Sequence, residues 1–177
     1  MSETRNGIRL DALNTTREKI LRGEVPSEKP FEVEGRWRTE GPGMFEATLN
    51  FPGGSLTLVS DQPPPSGGEG TAPNPVQYCV FAMLACYATT FMTLAAQQGV
   101  DIRSLRVRGA SVANMKAIFE VEEGPIIDRV WIELEVTSDA SQEVLEALRQ
   151  EADRKCPAAY TVQHAVPFTS RLVKQEG

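Results

Sequence analysis

Apolar residues change their spacing several times along the 177-residue chain, and each change predicts an element. Leu10, Leu13, Ile20 and Leu21 stand among polar residues at helical intervals, with Gly23 and Pro26 following as a stop. A short amphipathic helix is predicted over 10–22. From Phe31 the period becomes two: Phe31, Val33, Gly35 and Trp37 share one face of a predicted half-buried strand, and Glu32, Glu34, Arg36 and Arg38 share the other. Gly41-Pro42-Gly43 reverses the chain, Phe45, Ala47, Leu49 and Phe51 alternate again, and Pro52-Gly53-Gly54 leads into Ser55–Ser60. The region reads as an antiparallel meander. Residues 61–73, DQPPPSGGEGTAP, have no period, and a loop of this length inside a compact domain is usually functional or mobile.

Asn74 opens the most apolar segment as a helix cap, with Pro75 at the first helical position and Gln77 placed to close a capping box; Gly99 ends it. Twenty-odd residues at 1.5 Å each give roughly 36 Å of helix, apolar on nearly every side between Val80 and Ala96. Such a helix is buried all round or spans a membrane. Thr89, Thr90 and Thr93 dilute the run and its flanks lack basic anchors, so a central core helix is predicted, with no membrane partner. Alternation then returns over 102–109, over 115–122 with Met115, Ala117, Phe119 and Val121 on one face, and over 130–136, predicting three more strands. Val144, Leu145, Leu148 and Ala152 recur at helical spacing behind Asp139 as a cap, and Pro157 breaks that helix just after Cys156. Residues 160–168, YTVQHAVPF, read as a last strand. Helices bunched against antiparallel strands make the fold class α+β.

Charge and composition narrow the partners. The apolar fraction of 41% and charged fraction of 24% are those of a folded chain, long enough for about one domain. Twenty-four acidic against 18 basic residues leave a net charge of −6, which repels nucleic acid and anionic membrane surfaces. The first residues carry no apolar secretory stretch, so a cytoplasmic location is expected. There three cysteines begin as thiols, and a disulfide among them is transient chemistry rather than a staple.

Cys79 and Cys86 lie seven residues apart on the predicted helix, which aligns them within about 20° but separates them by about 10.5 Å along its axis. They cannot pair while the helix stands, leaving Cys156 as the partner for Cys86 within the chain. A mid-helix thiol gains nothing from a helix terminus, so activating Cys86 requires an arginine from elsewhere. Cys79 reads as a small buried core residue and His164 as a structural histidine in the last strand. One histidine with scattered thiols does not make a zinc site, a serine triad lacks a second candidate base, and Gly67–Gly70 lacks the context of a phosphate cradle; no metal or cofactor is expected.

Residues 74–86, NPVQYCVFAMLAC, resemble the Asn-Pro-Glu-Gln-Leu stretch that leads into a helical cysteine in the OsmC and organic hydroperoxide resistance (Ohr) family, and CPAAY from Cys156 is similar to that family's second, Cys-Pro cysteine. The resemblance covers about Phe31 to Phe168, with residues 1–30 as an N-terminal helical extension and 31–177 as the OsmC-like domain. It implies antiparallel sheets around a long central helix in an intertwined homodimer. It also implies a thiol peroxidase in which Cys86 attacks an organic hydroperoxide and Cys156 resolves the sulfenic acid to a disulfide, regenerated by a dithiol or lipoyl reductant. Arg36 and Arg38 are the arginines nearest the family's catalytic one, whereas the family's glutamate is replaced by Val76. An apolar pocket around Phe81, Met83 and Tyr87 is expected to take the substrate. The alternative is a non-catalytic module of the same fold that binds a small apolar ligand.

Overall fold

The capping box written at Asn74 starts the longest helix. In a computed structural model, which describes residues 3–175, the Asn74 side chain accepts from the Gln77 N–H and the Gln77 side chain accepts from the Asn74 N–H, each at 2.9 Å. Helix α2 follows over Pro75–Gln97. Its orphan donors are satisfied at the start, and Gly99, at φ 75°, supplies the left-handed residue that ends it. The hydroxyls of Thr89 and Thr90 donate back to the carbonyls of Ala85 and Cys86, so the apolar run carries its polar groups internally.

Met83, Tyr87, Phe91 and Leu94 form the buried stripe of α2. Against it pack strand β6 (Ile102–Ala113), helix α4 (Gln142–Lys155) and helix α5 (Pro157–Gln163). Leu148 and Ala152 of α4 are completely buried there. β6 pairs antiparallel with β7 (Ile127–Ser138), facing Leu105, Val107, Leu134 and Val136 inward and ion pairs such as Arg108–Glu133 outward. Gly109 permits the close contact of helix and sheet: a Cβ there would lie 2.9 Å from Leu84 Cδ2 and 2.5 Å from the Trp131 carbonyl oxygen. Although α2 is long and apolar enough to cross a membrane, its packed face makes it the core helix.

Several expectations are corrected. The expected burial of α2 on every side does not hold within one chain, because Phe81 is 69% exposed and Cys79 is also exposed rather than in the core. Residues 115–122 are not a strand: Asn114 accepts from the N–H groups of Lys116 and Ala117 and starts a one-turn helix, α3 (Met115–Ile118), leaving the β6–β7 sheet with two strands. α4 is capped by Ser141, not Asp139, whose carboxylate is engaged by Arg103. The last predicted strand is helix α5 followed by irregular chain, which places His164 outside any strand.

Two pieces precede α2. Residues Thr4–Arg5 (β1) and Ile8–Arg9 (β2) form a hairpin around Asn6 and Gly7, both at positive φ, and run into α1 (Leu10–Leu21). Asn6 grips the far end of α2, donating to the Val100 carbonyl and accepting from the Ile102 N–H, both at 2.9 Å. β3 (Gly35–Trp37), β4 (Phe45–Phe51) and β5 (Gly54–Ser60) make the expected antiparallel meander. The first of these strands is not half-buried as expected: it begins only at Gly35, its three residues are exposed, with Trp37 at 64%, and no residue of β3, β4 or β5 joins the core cluster. The Tyr78 hydroxyl, donating to the Val59 carbonyl at 2.8 Å, ties the meander to α2.

Candidate active site

Cys86 lies on α2 beside the buried stripe and is half-buried; Cys156 is 0% exposed at the junction of α4 and α5. Pro157 decides the junction. Its missing N–H ends the α4 hydrogen-bond pattern and its fixed φ suits the first position of a new helix, so Cys156 closes α4 with its N–H to the Ala152 carbonyl (2.9 Å). The same residue opens α5, its Sγ accepting from the Ala159 N–H at 3.5 Å. That turn aims the Cys156 thiol at Cys86, across seventy residues of sequence, with an Sγ–Sγ separation of 3.5 Å. Both sulfurs are free thiols.

Burial pushes the Cys86 thiol above its ordinary pKa; the Ala158 N–H, aimed at its sulfur, opposes the shift, and the neighbouring Cys156 thiol adds to it. No guanidinium or ammonium is among the groups acting on it. Arg36 donates to Glu46 at 2.8 Å, and Arg38 donates to the Pro42 carbonyl at 2.7 Å with Glu46 3.6 Å away. Both arginines are therefore committed to the meander, and the structure does not bring them to Cys86 within the chain. Val76, in the first turn of α2, leaves that turn without an acidic residue. His164 stacks on Tyr160 at 4.0 Å on the surface.

A cleft of about 530 Å³ opens between α2, β7, α4 and α5. Met83 and Tyr87 line it as expected, whereas Phe81 faces outward, and neither Cys86 nor Cys156 is on its wall. Its polar members were not singled out from the sequence. The Tyr87 hydroxyl donates to Asp153 at 2.5 Å, and Arg149 bridges Asp153 and Glu146. Glu146, Arg149 and Asp153 stand at the i,i+3 and i,i+4 intervals that place charges together on a helix, a signal present in the sequence. Among the described residues no group of His, Cys, Asp or Glu is arranged to hold a metal.

The thiol-bearing part of the chain, residues 68–171, matches the family described as OsmC-like protein. The chain belongs to the OsmC-like family. Its fold is similar to an OsmC-like protein of Mycoplasma pneumoniae (TM-score 0.58, 15% identity, 77% of this chain and 89% of that one). It is also similar to a structure from Legionella pneumophila described as an organic hydroperoxide resistance protein OsmC and predicted redox protein (TM-score 0.56, 19% identity, 77% and 92%). A third, from Vibrio cholerae, is an OsmC-like protein of unknown function (TM-score 0.55, 15% identity, 77% and 95%). No curated protein matches. Antiparallel sheets and a long central helix are thus the OsmC-like fold, built here around two thiols.

Proposed function

We propose that this OsmC-like protein reduces organic hydroperoxides with Cys86 and Cys156. The observation that carries the reading is the 3.5 Å approach of the two sulfurs combined with their unequal access, Cys86 half-buried and Cys156 sealed. A peroxide reaches Cys86 first. Its thiolate attacks the distal oxygen, the O–O bond breaks, and the departing alkoxide takes a proton to become the alcohol while Cys86 becomes a sulfenic acid. The Cys156 sulfur then attacks the Cys86 sulfur and water leaves, its hydroxyl from the sulfenic acid and its second proton from the Cys156 thiol. A disulfide needs an S–S distance of about 2.05 Å, so the sulfurs close by some 1.5 Å, and a dithiol of low potential returns both to thiols. Apolar surroundings favour a greasy hydroperoxide.

A desolvated thiol without a cation is slow at neutral pH, so the reading requires an arginine. We place it in the meander of a second copy. A three-stranded sheet with exposed Trp37 and Phe51, and an α2 with exposed Phe81, are surfaces suited to an intertwined homodimer. In such a dimer the arginine for the other copy's Cys86 would be Arg38 or Arg36, released from Glu46 and, for Arg38, from the Pro42 carbonyl. The cytoplasm, where thiols stay reduced, is the fitting compartment. Turnover of cumene hydroperoxide with dihydrolipoate as reductant, compared between wild type and Cys86→Ser, tests the proposal. Loss of turnover in Cys86→Ser supports it, and equal turnover sinks it.

A second reading is favoured by Val76, which removes the carboxylate that would orient an arginine. In that reading the protein is a non-catalytic module that binds a small apolar molecule, and the wild type itself shows no Cys86-dependent turnover.

A further inference from the structure

The cleft between α2, β7, α4 and α5 has the size of a small-molecule site, about 530 Å³. Met83, Phe91, Trp131, Leu134, Leu145 and Val162 supply an apolar lining. Against it stands one polar patch. Arg149 donates from Nε and Nη2 to the two oxygens of Glu146 at 2.9 and 2.7 Å, and from Nη1 to Asp153 Oδ2 at 2.6 Å. Tyr87 donates to Asp153 Oδ1, and a pKa held well above the usual phenol range by burial keeps it a neutral donor.

The charges do not balance. Glu133, Glu146 and Asp153 line the cleft against the single guanidinium of Arg149, and Glu133 is matched by Arg108, which is not part of the lining. Arg149 also holds the Glu146 carboxyl down to about 2, so that group stays ionised. Each carboxylate oxygen can accept about two hydrogen bonds, yet both oxygens of Asp153 and Oε2 of Glu146 receive one each. Acceptor capacity is left over beside an apolar wall.

We infer that the cleft binds an amphipathic small molecule with an apolar body and a cationic amine head, the amine donating to the spare oxygens of Glu146 and Asp153. This deepens the ligand-binding reading by giving the ligand a charge, and it requires nothing of the thiols. An anionic head would face the excess of carboxylates, with only the remaining N–H groups of Arg149 to receive it.

Trp131 lines the cleft and Trp37, the other tryptophan, does not, so Trp37→Phe leaves Trp131 fluorescence as a direct reporter. In that background octylamine, octanol and octanoate are titrated in turn. Octylamine is expected to saturate the signal at about tenfold or more lower concentration than octanoate, the size of a charge-assisted hydrogen bond. Glu146→Gln narrows that preference. Val162→Phe, at an exposed position that does not threaten folding, blocks all three probes without adding a second tryptophan, and Cys86→Ser binds as the parent does. Equal or tighter binding of octanoate, octanol matching octylamine, or binding unaffected by Val162→Phe each overturns the inference. Failure of every probe removes the ligand-binding reading with it, whereas a match between octanol and octylamine removes only the charge assignment; neither touches Cys86-dependent turnover.

Discussion

Cys156 ends one helix with its backbone and begins the next with its sulfur, while that sulfur faces Cys86. Substitution separates these roles. Serine accepts a capping hydrogen bond at least as well as a thiol, so Cys156→Ser is expected to stay folded and to stop after one equivalent of peroxide, with a sulfenic acid at Cys86 that dimedone traps. Cys156→Ala loses the cap as well and is expected to fall by about 0.5–2 kcal/mol in urea unfolding. Cys86 has its own signature. Burial raises its pKa above the ordinary 9.0, so the reactive thiolate is scarce at pH 7 and increases as pH rises through and beyond 9. Iodoacetamide followed by peptide mass spectrometry should label exposed Cys79 first at pH 7 in a chain held as a monomer, with Cys86 labelling climbing steeply only above pH 9. In the wild-type dimer the second copy's arginine should bring Cys86 labelling forward into the range of pH 6 to 8, and a dimer that labels like the monomer would remove the proposed activation. At this scale the two thiols could be read from their motifs, but the exposure of Cys79 could not, since burial of a small apolar residue depends on which face of α2 the chain covers.

Helix α5 is the element most sensitive to the state of the thiols. Its first turn hangs on the sulfur of Cys156 through the Ala159 N–H, and the Ala158 N–H points at Cys86. Drawing the sulfurs into a disulfide takes the acceptor from that turn. Oxidised protein is expected to exchange the amide hydrogens of Ala158 and Ala159 about 2- to 30-fold faster than reduced protein, the cost of a lost cap, while Leu148 and Ala152 in the completely buried part of α4 stay protected. Unchanged exchange at both amides would mean that α5 follows the sulfur rigidly. The same junction shows what sequence patterns do and do not carry. The capping box at Asn74 is a local hydrogen-bond arrangement, legible from four residues, and α2 starts where it says. Pro157 was equally visible, but a proline that stops a helix is also a proline that can start one, and only Cys156 as a cap decides for α5. Met115, Ala117, Phe119 and Val121 alternate as a strand would, yet Asn114 offers its side chain to two backbone donors and only Ala117 becomes buried. Period two is evidence for a strand only when the segment pairs with a sheet; this one pairs with neither β6 nor β7, which leaves Met115, Phe119 and Val121 exposed.

The whole molecule divides into a packed unit, built on α2, and a meander that shares almost nothing with it. That division predicts association. Sedimentation at micromolar concentration is expected to show a homodimer, and the urea midpoint is expected to rise with protein concentration because dissociation and unfolding are coupled. Phe81→Glu, on the exposed face of α2, should shift the protein toward monomer; a stable folded monomer in the wild type would remove the dimer and with it the proposed route for Arg38 or Arg36. The general architecture was legible, because alternation and capping mark sheets and helices wherever they lie, but the separation of the meander from its own core was not, since period alone does not say which copy a face will cover. The N-terminal hairpin was missed altogether: its Asn6-Gly7 signal is flanked by only two residues on each side, too few for a pattern. Yet Asn6 and Ile102 are joined across 96 positions. During synthesis at roughly 5–20 residues per second, the first turn made must wait about 5–20 s before its partner exists. The Asn6 turn therefore cannot settle against the end of α2 until residue 102 has been made, and a nascent chain stalled before that point carries a loose hairpin that a completed one does not.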